Sequence, residues 1–502
     1  MFITSARKVD VERHLRAEQT DAELRGSAAR GAAVVVLSQV CKFGLLFVAN
    51  VILARLLVPE DFGLEAIVTS ILTGFSLFND LSLPVATVQR HEISHEQVSS
   101  LFWINTLWGC ALAAIAAAAA PLFAALYGEP RLAPMIAVLA TGFIFFGVGC
   151  QHRALLKRRM RFSALAVAEF TAIVPGVLVG VALARFGFHY WALVYMKLAI
   201  ELFTALGVLL ACGWRPARPA WPAQVRPLLT FGSHLTGLGV LSYLTRYADN
   251  LLVGWFGGAR ALGFYYKAYQ MLLVPSQQFI TPLSGVVVPT LSRIQLDPKR
   301  FVAYYRRSVL LSAAVAMPLV AFLFVTAGRV VPLLLGDQWT ESVPLFRALA
   351  PAAFLAPLDV GSAWVFIPLG RADRQFKWSL FSTLFTLAGF VVGLRWGAYG
   401  VAVCFSACRA LLLAPKLMYA CEGTPVRWTE VFRSASHPAV ASAASAALLF
   451  TLTRQFSFAA HGLSGLAASS LCFGLMFIGV WVALPGGRRS LRGLIGMARH
   501  LR

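Results

Sequence analysis

The stretch LTRYADNLLVGWFGGARALGFYYKAYQMLLVP, Leu244 to Pro275, sets Arg246 and Asp249 three residues apart inside a hydrophobic run and Lys267 in the next one. A charge in hydrocarbon costs at least ~2.5 kcal/mol even on the gentlest insertion scale, so it persists where it has a partner, a water-filled cavity, or both. Arg246 and Asp249, at i and i+3, read either as an intrahelical pair or as a pair that also meets a substrate or coupling ion. Lys267, a few residues into its run, reads as snorkelling to the interface or as facing a cavity. Lys42 lies midway along another run with no acid one turn away, which favours a binding role. Asp80, Glu169, Lys197, Glu201 and Asp359 are further charges within apolar segments. Lys197 and Glu201, at i and i+4, read as a structural pair; Asp359, beside Pro357, marks a bent helix facing a cavity; Arg409 has no assigned role.

The elements that hold these charges are membrane helices. A hydrophobic content of 58%, only 13% charged residues and a mean hydropathy of +0.71 over 502 residues exclude a soluble domain. The apolar runs have the length an α-helix needs to cross about 30 Å of hydrocarbon, and they lack the alternation of a membrane β-barrel. The expected fold is an all-α polytopic membrane protein with about fourteen transmembrane helices and both ends on one side. The polar stretch before the first span carries Asp10, Glu12, Glu18 and Glu23 among its basic residues, which is not how a secretory signal begins. It is expected to be a cytoplasmic tail. Only six Lys and Arg residues fall on the opposite side (Arg55, Arg131, Arg185, Arg260, Arg395 and Arg454). The bias toward the N-terminal side is about fivefold, which makes that side cytoplasmic. The net charge of +22 then reflects topology and attraction to anionic headgroups rather than nucleic-acid binding. The eight cysteines show no CxxC spacing and read as small packing residues, with no metal site.

Residues 200 apart repeat. Asn50 to Gly63 lies over Asn250 to Gly263; each stretch begins with Asn in an aliphatic run and reaches Gly where the next span starts. This suggests two six-helix halves plus two extra helices, related by an axis along the membrane normal, as in transporters. The expected organisation is a cytoplasmic tail (1–30), an N-lobe (31–213), a cytoplasmic linker (214–229), a C-lobe (230–420), two further helices (437–484) and a basic cytoplasmic tail (485–502). Polar stripes at three-four spacing mark four spans. Gln39, Lys42 and Asn50 are on the first, and Thr69, Thr73, Ser76 and Asp80 on the second. Ser242, Arg246, Asp249 and Asn250 are on the seventh, and Lys267, Gln270, Gln277, Thr281 and Ser284 on the eighth. A hydrated central cavity lined by these four spans is the simplest arrangement that serves them all.

LARLLVPEDFGL from Leu53, ISHEQVSSLFWIN from Ile93, YGEPRLAPMIAVLA from Tyr127, RALLKRRMRFSALAVAE from Arg153 and ADNLLVGWFGGARALGFYYKAYQML with VVPTLSRIQ resemble the polysaccharide transporter family. That family includes flippases for O-antigen, colanic acid and exopolysaccharide repeat units, in the superfamily that holds the lipid II flippases and multidrug extrusion proteins. The resemblance covers about residues 30 to 480. It implies two lobes around a V-shaped cavity and alternating access in the bacterial inner membrane. The cargo it implies is an undecaprenyl-diphosphate-linked oligosaccharide, moved from the cytoplasmic to the periplasmic leaflet. A diphosphate-sugar headgroup enters hydrocarbon only if cationic and hydrogen-bonding groups replace its hydration. Under that resemblance Lys42 and Arg246 are assigned to the diphosphate, and Lys267 and Arg55 to gate contacts. Gln39, Asn50, Asn250, Gln270 and Gln277 are assigned to the polar lining.

No GxxxxGK[ST] motif is present, so the expected energy source is an ion gradient, with H⁺ or Na⁺ as coupling ion and no other cofactor. Asp249, Asp80 and Asp359 are the candidates to bind it. The expectation is a transporter and not an enzyme, monomeric, with membrane lipids and a polysaccharide polymerase or chain-length regulator as possible partners. Another exporter of the same superfamily, or a membrane polymerase or ligase acting on lipid-linked glycans, are the alternatives. The short loops on the side opposite the N-terminus argue against the latter.

Overall fold

The computed structural model describes residues 21–79, 84, 87, 88, 93–218, 226–455 and 462–491, and their side chains except at 21–36, 226–240, 242, 455 and 463. Asp80 and the Ser242 side chain therefore lie outside the described residues. Among the described residues there are only helices, turns and irregular segments. Among the described residues eleven segments are long and apolar enough to cross a membrane, and the chain is a multi-pass membrane protein.

Residues up to Arg260 form one compact unit and those from Ala261 a second. The division falls after the seventh expected span, later than the linker at 214–229 where the sequence suggested it. In the first unit, α1 (Asp21–Leu56), α2 (Pro59–Ser76), α3 (His95–Tyr127), α4 (Leu132–Ala140), α5 (Gly142–Arg158), α6 (Phe162–Arg185) and α7 (Tyr190–Cys212) follow in order. α4 and α5 meet at Thr141 and form one crossing segment, Leu132–Arg158. The long α8 (Arg226–Arg293) begins in the first unit and ends in the second, broken at Gly258, whose φ of 75° and ψ of 176° are not helical. Such a backbone carries almost no penalty only in glycine. The break lies 200 residues after Val58, the extended residue between α1 and α2. The sequence repeat thus marks the same feature twice: a helix that stops and restarts.

Local signals set the helix starts. Pro59 opens α2, where its missing N–H is harmless, and the Asp61 carboxylate accepts the Val58 N–H at 3.3 Å. Ser94 caps α3: its Oγ accepts from the Gln97 N–H at 3.2 Å while Gln97 Oε1 accepts the Ser94 N–H at 3.0 Å. α6 packs closely along α7. Gly176 and Gly180, one turn apart on α6, face Met196 and Ile200 of α7, and a Cβ at either glycine would collide with them. Small residues are how membrane helices gain close packing, because lipid supplies little hydrophobic drive for association.

The second unit holds α9 (Pro298–Leu335), α10 (Ser342–Phe366), α11 (Ala372–Gly393), α12 (Gly397–Cys421), α13 (Trp428–Gln455) and α14 (Leu463–Ala483). Its core joins Phe301, Tyr305, Val309 and Met317 of α9 to Leu358, Trp364 and Val365 of α10, Leu413 and Leu417 of α12, and Val431 of α13. α12 packs along α10, which places their polar residues side by side.

Candidate functional site: buried charge clusters in each unit

In the first unit the polar stripe of α2 lines a cavity of about 520 Å³. Its walls include Thr69, Thr73 and Ser76 of α2, Asn79 beyond its end, Phe143 and Phe146 of α5, and Lys197 and Glu201 of α7. Lys197 reaches across the helix interface into an ion pair with Glu65 of α2, and its Nζ donates to Thr69 Oγ1 at 2.6 Å. Thr69 Oγ1 in turn donates to Glu65 Oε1 at 3.0 Å. Glu201 pairs instead with Arg153 of α5 at 3.8 Å. The intrahelical Lys197–Glu201 pair expected from spacing is replaced by two inter-helix pairs. The cause is geometric: Glu65 sits 5% exposed in the α2–α7 interface, and α7 brings Lys197 to it.

Lys42, midway along α1, is also paired, with Glu169 of α6. It has no acid on its own helix, as the sequence shows, but α1 packs on α6 and supplies one. The three pairs Lys42–Glu169, Lys197–Glu65 and Arg153–Glu201 each match one cation to one carboxylate.

Arg246 is exposed. Asp249 is only 4% exposed, and its Oδ1 accepts the Asn250 N–H at 2.8 Å. Asn250 is buried beside it, Asn50 is half-buried, and Gln39 and Arg55 are exposed.

In the second unit Lys267 is 2% exposed, so it does not snorkel; its ammonium lies 5.8 Å from the centre of the Trp339 ring. A cation over an indole face is stabilised by the ring quadrupole. Gln270 is half-buried and Gln277 exposed. Asp359 of α10 bridges two cations of α12: Oδ2 accepts from Arg409 Nη1 at 3.0 Å and Oδ1 from Lys416 Nζ at 2.7 Å. Both carboxylate oxygens are engaged by cations. Lys416 was missed in the sequence. Its signal is faint: it shares a face with Arg409 seven residues earlier, near the end of an apolar run.

The family described as polysaccharide biosynthesis protein matches residues 52–344. The lipopolysaccharide biosynthesis protein WzxC of Escherichia coli (strain K12) is 26% identical over 389 residues, 76% of this chain and 78% of that protein. The succinoglycan biosynthesis transport protein ExoT of Rhizobium meliloti (strain 1021) is 26% identical over 364 residues, 71% of this chain and 72% of that protein. Among solved structures, the lipid II flippase MurJ in an inward closed conformation aligns with a TM-score of 0.64 at 12% identity, covering 90% of this chain and 96% of that one. An inward-facing MATE family multidrug transporter of the MOP superfamily aligns with a TM-score of 0.61 at 13% identity, covering 80% and 99%. At these identities the two structures speak for the fold alone. With more than half of its residues matched and its helical membrane fold shared with known transporters, the chain belongs to the polysaccharide biosynthesis protein family.

Proposed function

We propose that this protein is a flippase that moves undecaprenyl-diphosphate-linked oligosaccharide repeat units from the cytoplasmic to the periplasmic leaflet of the inner membrane, by ion-driven alternating access. One observation supports the reading: in a chain of this family, the charged residues of α2, α7, α10 and α12 sit inside membrane helices, where they are paired with opposite charges from neighbouring helices. Arg246, exposed in an apolar segment, is the residue we assign to the diphosphate, with Lys42 becoming available when it parts from Glu169. Asp249, buried beside Asn250, is the coupling-ion candidate we retain among the described residues. The N-terminus and C-terminus are read as cytoplasmic, and the active species as a monomer that does no covalent chemistry on its cargo.

The test is deletion of the gene in its host, followed by mass spectrometry of polyprenyl-linked glycans with an impermeant sugar-modifying reagent to report their leaflet. Complete repeat units trapped in the cytoplasmic leaflet, and restored to export by the intact gene, are the expected result. Complete units on the periplasmic side would overturn the reading.

A further inference from the structure

The cluster on α10 and α12 differs from those of the first unit in its charge count. In the three pairs Lys42–Glu169, Lys197–Glu65 and Arg153–Glu201 each cation has its own carboxylate; here Arg409 and Lys416 share the single carboxylate of Asp359, leaving one positive charge over among the described residues. Seven residues is close to two full turns, so the two side chains leave one face of α12 from backbone positions about 10 Å apart along its axis, and their charged groups converge on the Asp359 carboxylate. Lys416 lies about 8 Å and Arg409 about 18 Å from the helix end at Cys421. All three side chains keep part of their surface open: 36% for Arg409, 21% for Lys416 and 27% for Asp359. The guanidinium of Arg409 is steadied 5.3 Å from the centre of the Phe405 ring on its own helix. An ion pair that served packing alone would be balanced; this one is not. A surplus positive charge at membrane depth, accessible from outside the protein, is stabilised by water or by an anion.

We propose that Arg409 and Lys416 form a site for a phosphate or diphosphate group, and that Asp359 is its internal stand-in anion. With no ligand, the carboxylate holds the two cations together and spares the helix pair their repulsion. A prenyl diphosphate brings more charge and more acceptor oxygens than one carboxylate, and takes over both cations, Arg409 through its planar fork and Lys416 as a point charge. Because both charged groups converge on one carboxylate, a single phosphate or diphosphate in its place meets both cations at once. This rests on the transporter reading and adds to it a place for the headgroup wholly within the second unit.

The test uses the full-length protein in nanodiscs of zwitterionic lipid, with farnesyl diphosphate as probe and farnesol and inorganic pyrophosphate as controls. The net charge of the cluster is +1 in the wild type, +2 in Asp359→Asn, 0 in Lys416→Gln and +1 again in the double variant, as the three ionised side chains add up. Affinity for farnesyl diphosphate should follow that order: roughly tenfold tighter for Asp359→Asn, roughly tenfold weaker for Lys416→Gln, and near wild type for the double variant, with farnesol unchanged. Weaker binding by Asp359→Asn, or no difference among the four proteins, overturns the proposal. Pyrophosphate following the same order with equal strength supports the anion site and assigns it to a soluble ligand; farnesyl diphosphate alone following it assigns the site to the lipid. If Asp359→Asn does not fold, Lys416→Gln and Arg409→Gln still decide: each must lose diphosphate but not farnesol affinity. The flippase reading fails separately. Leaflet analysis can refute transport while the binding order stands, and a chain shown to flip its cargo without that binding order would refute only the anion site.

Discussion

At the scale of single residues, ion pairing across helices is what the buried charges have in common. Glu65 is almost fully enclosed and relies on Lys197, which is about one-third exposed. Removing one partner of a buried pair leaves an uncompensated charge and costs about 3–5 kcal/mol, less here because water reaches the lysine. Lys197→Met should therefore lower the melting temperature of the purified protein clearly, and Glu65→Gln with Lys197→Met should recover most of the loss. A double variant as unstable as the single one would show that Lys197 acts through something other than Glu65. Asp249 makes a different kind of claim. Asp249→Asn keeps size and hydrogen bonding but removes the charge, so transport in vesicles with an imposed gradient should fall at least tenfold while folding is preserved. Unchanged gradient-driven transport would remove Asp249 from the coupling step.

At the scale of elements, the most constrained contact joins the start of α2 to the break in α8. A Cβ placed on Gly63 would run into the carbonyl of Ala259, just after Gly258 departs from helix. The neighbour is backbone and cannot swing away, so Gly63→Val should force the two elements apart, costing about 1–3 kcal/mol, with a larger loss of transport than Gly44→Val, where a Cβ meets nothing within 4 Å. Equal effects at the two positions would refute the close approach. Nearby, Arg131 ties two segments together, pairing with Glu60 at the start of α2 and donating from Nε to Glu129 at 2.7 Å. Those hydrogen bonds hold the Glu129 carboxyl below its ordinary value of 4.5. A depressed carboxyl contributes stability that is present above the unfolded value and is lost as pH falls through the folded one. The partners are partly exposed, so the effect is small. Melting curves of wild type and Glu129→Gln should converge as the pH is taken below about 4 and separate above it. A constant gap across that range would exclude the pair as the source.

For the whole molecule, the charge bias of the loops predicts orientation. Leu296, 93% exposed between α8 and α9, belongs to the side read as cytoplasmic, and Phe186, 79% exposed between α6 and α7, to the opposite side. In a protein stripped of its eight native cysteines, Phe186→Cys should react with an impermeant thiol reagent in intact cells and Leu296→Cys only after permeabilisation. The reverse pattern would invert the topology and the proposed direction of transport.

Much of this was legible in the chain because membrane insertion reads sequence locally. The length of each apolar run, the repeat from Asn50 that returns at Asn250, and the stripe Thr69, Thr73, Ser76 are properties of one segment at a time, and the helices and their polar faces follow from them. Tertiary structure decided which charge answers which. Lys42 meets Glu169, 127 residues away, Lys197 passes over its own helical neighbour for Glu65, and Asp359 collects Arg409 and Lys416 from another helix. Periodicity shows which face a residue occupies but not which helix packs there. In a medium where a lone charge costs so much, its nearest opposite charge in space sets its role, and that distance exists only once the helices have assembled.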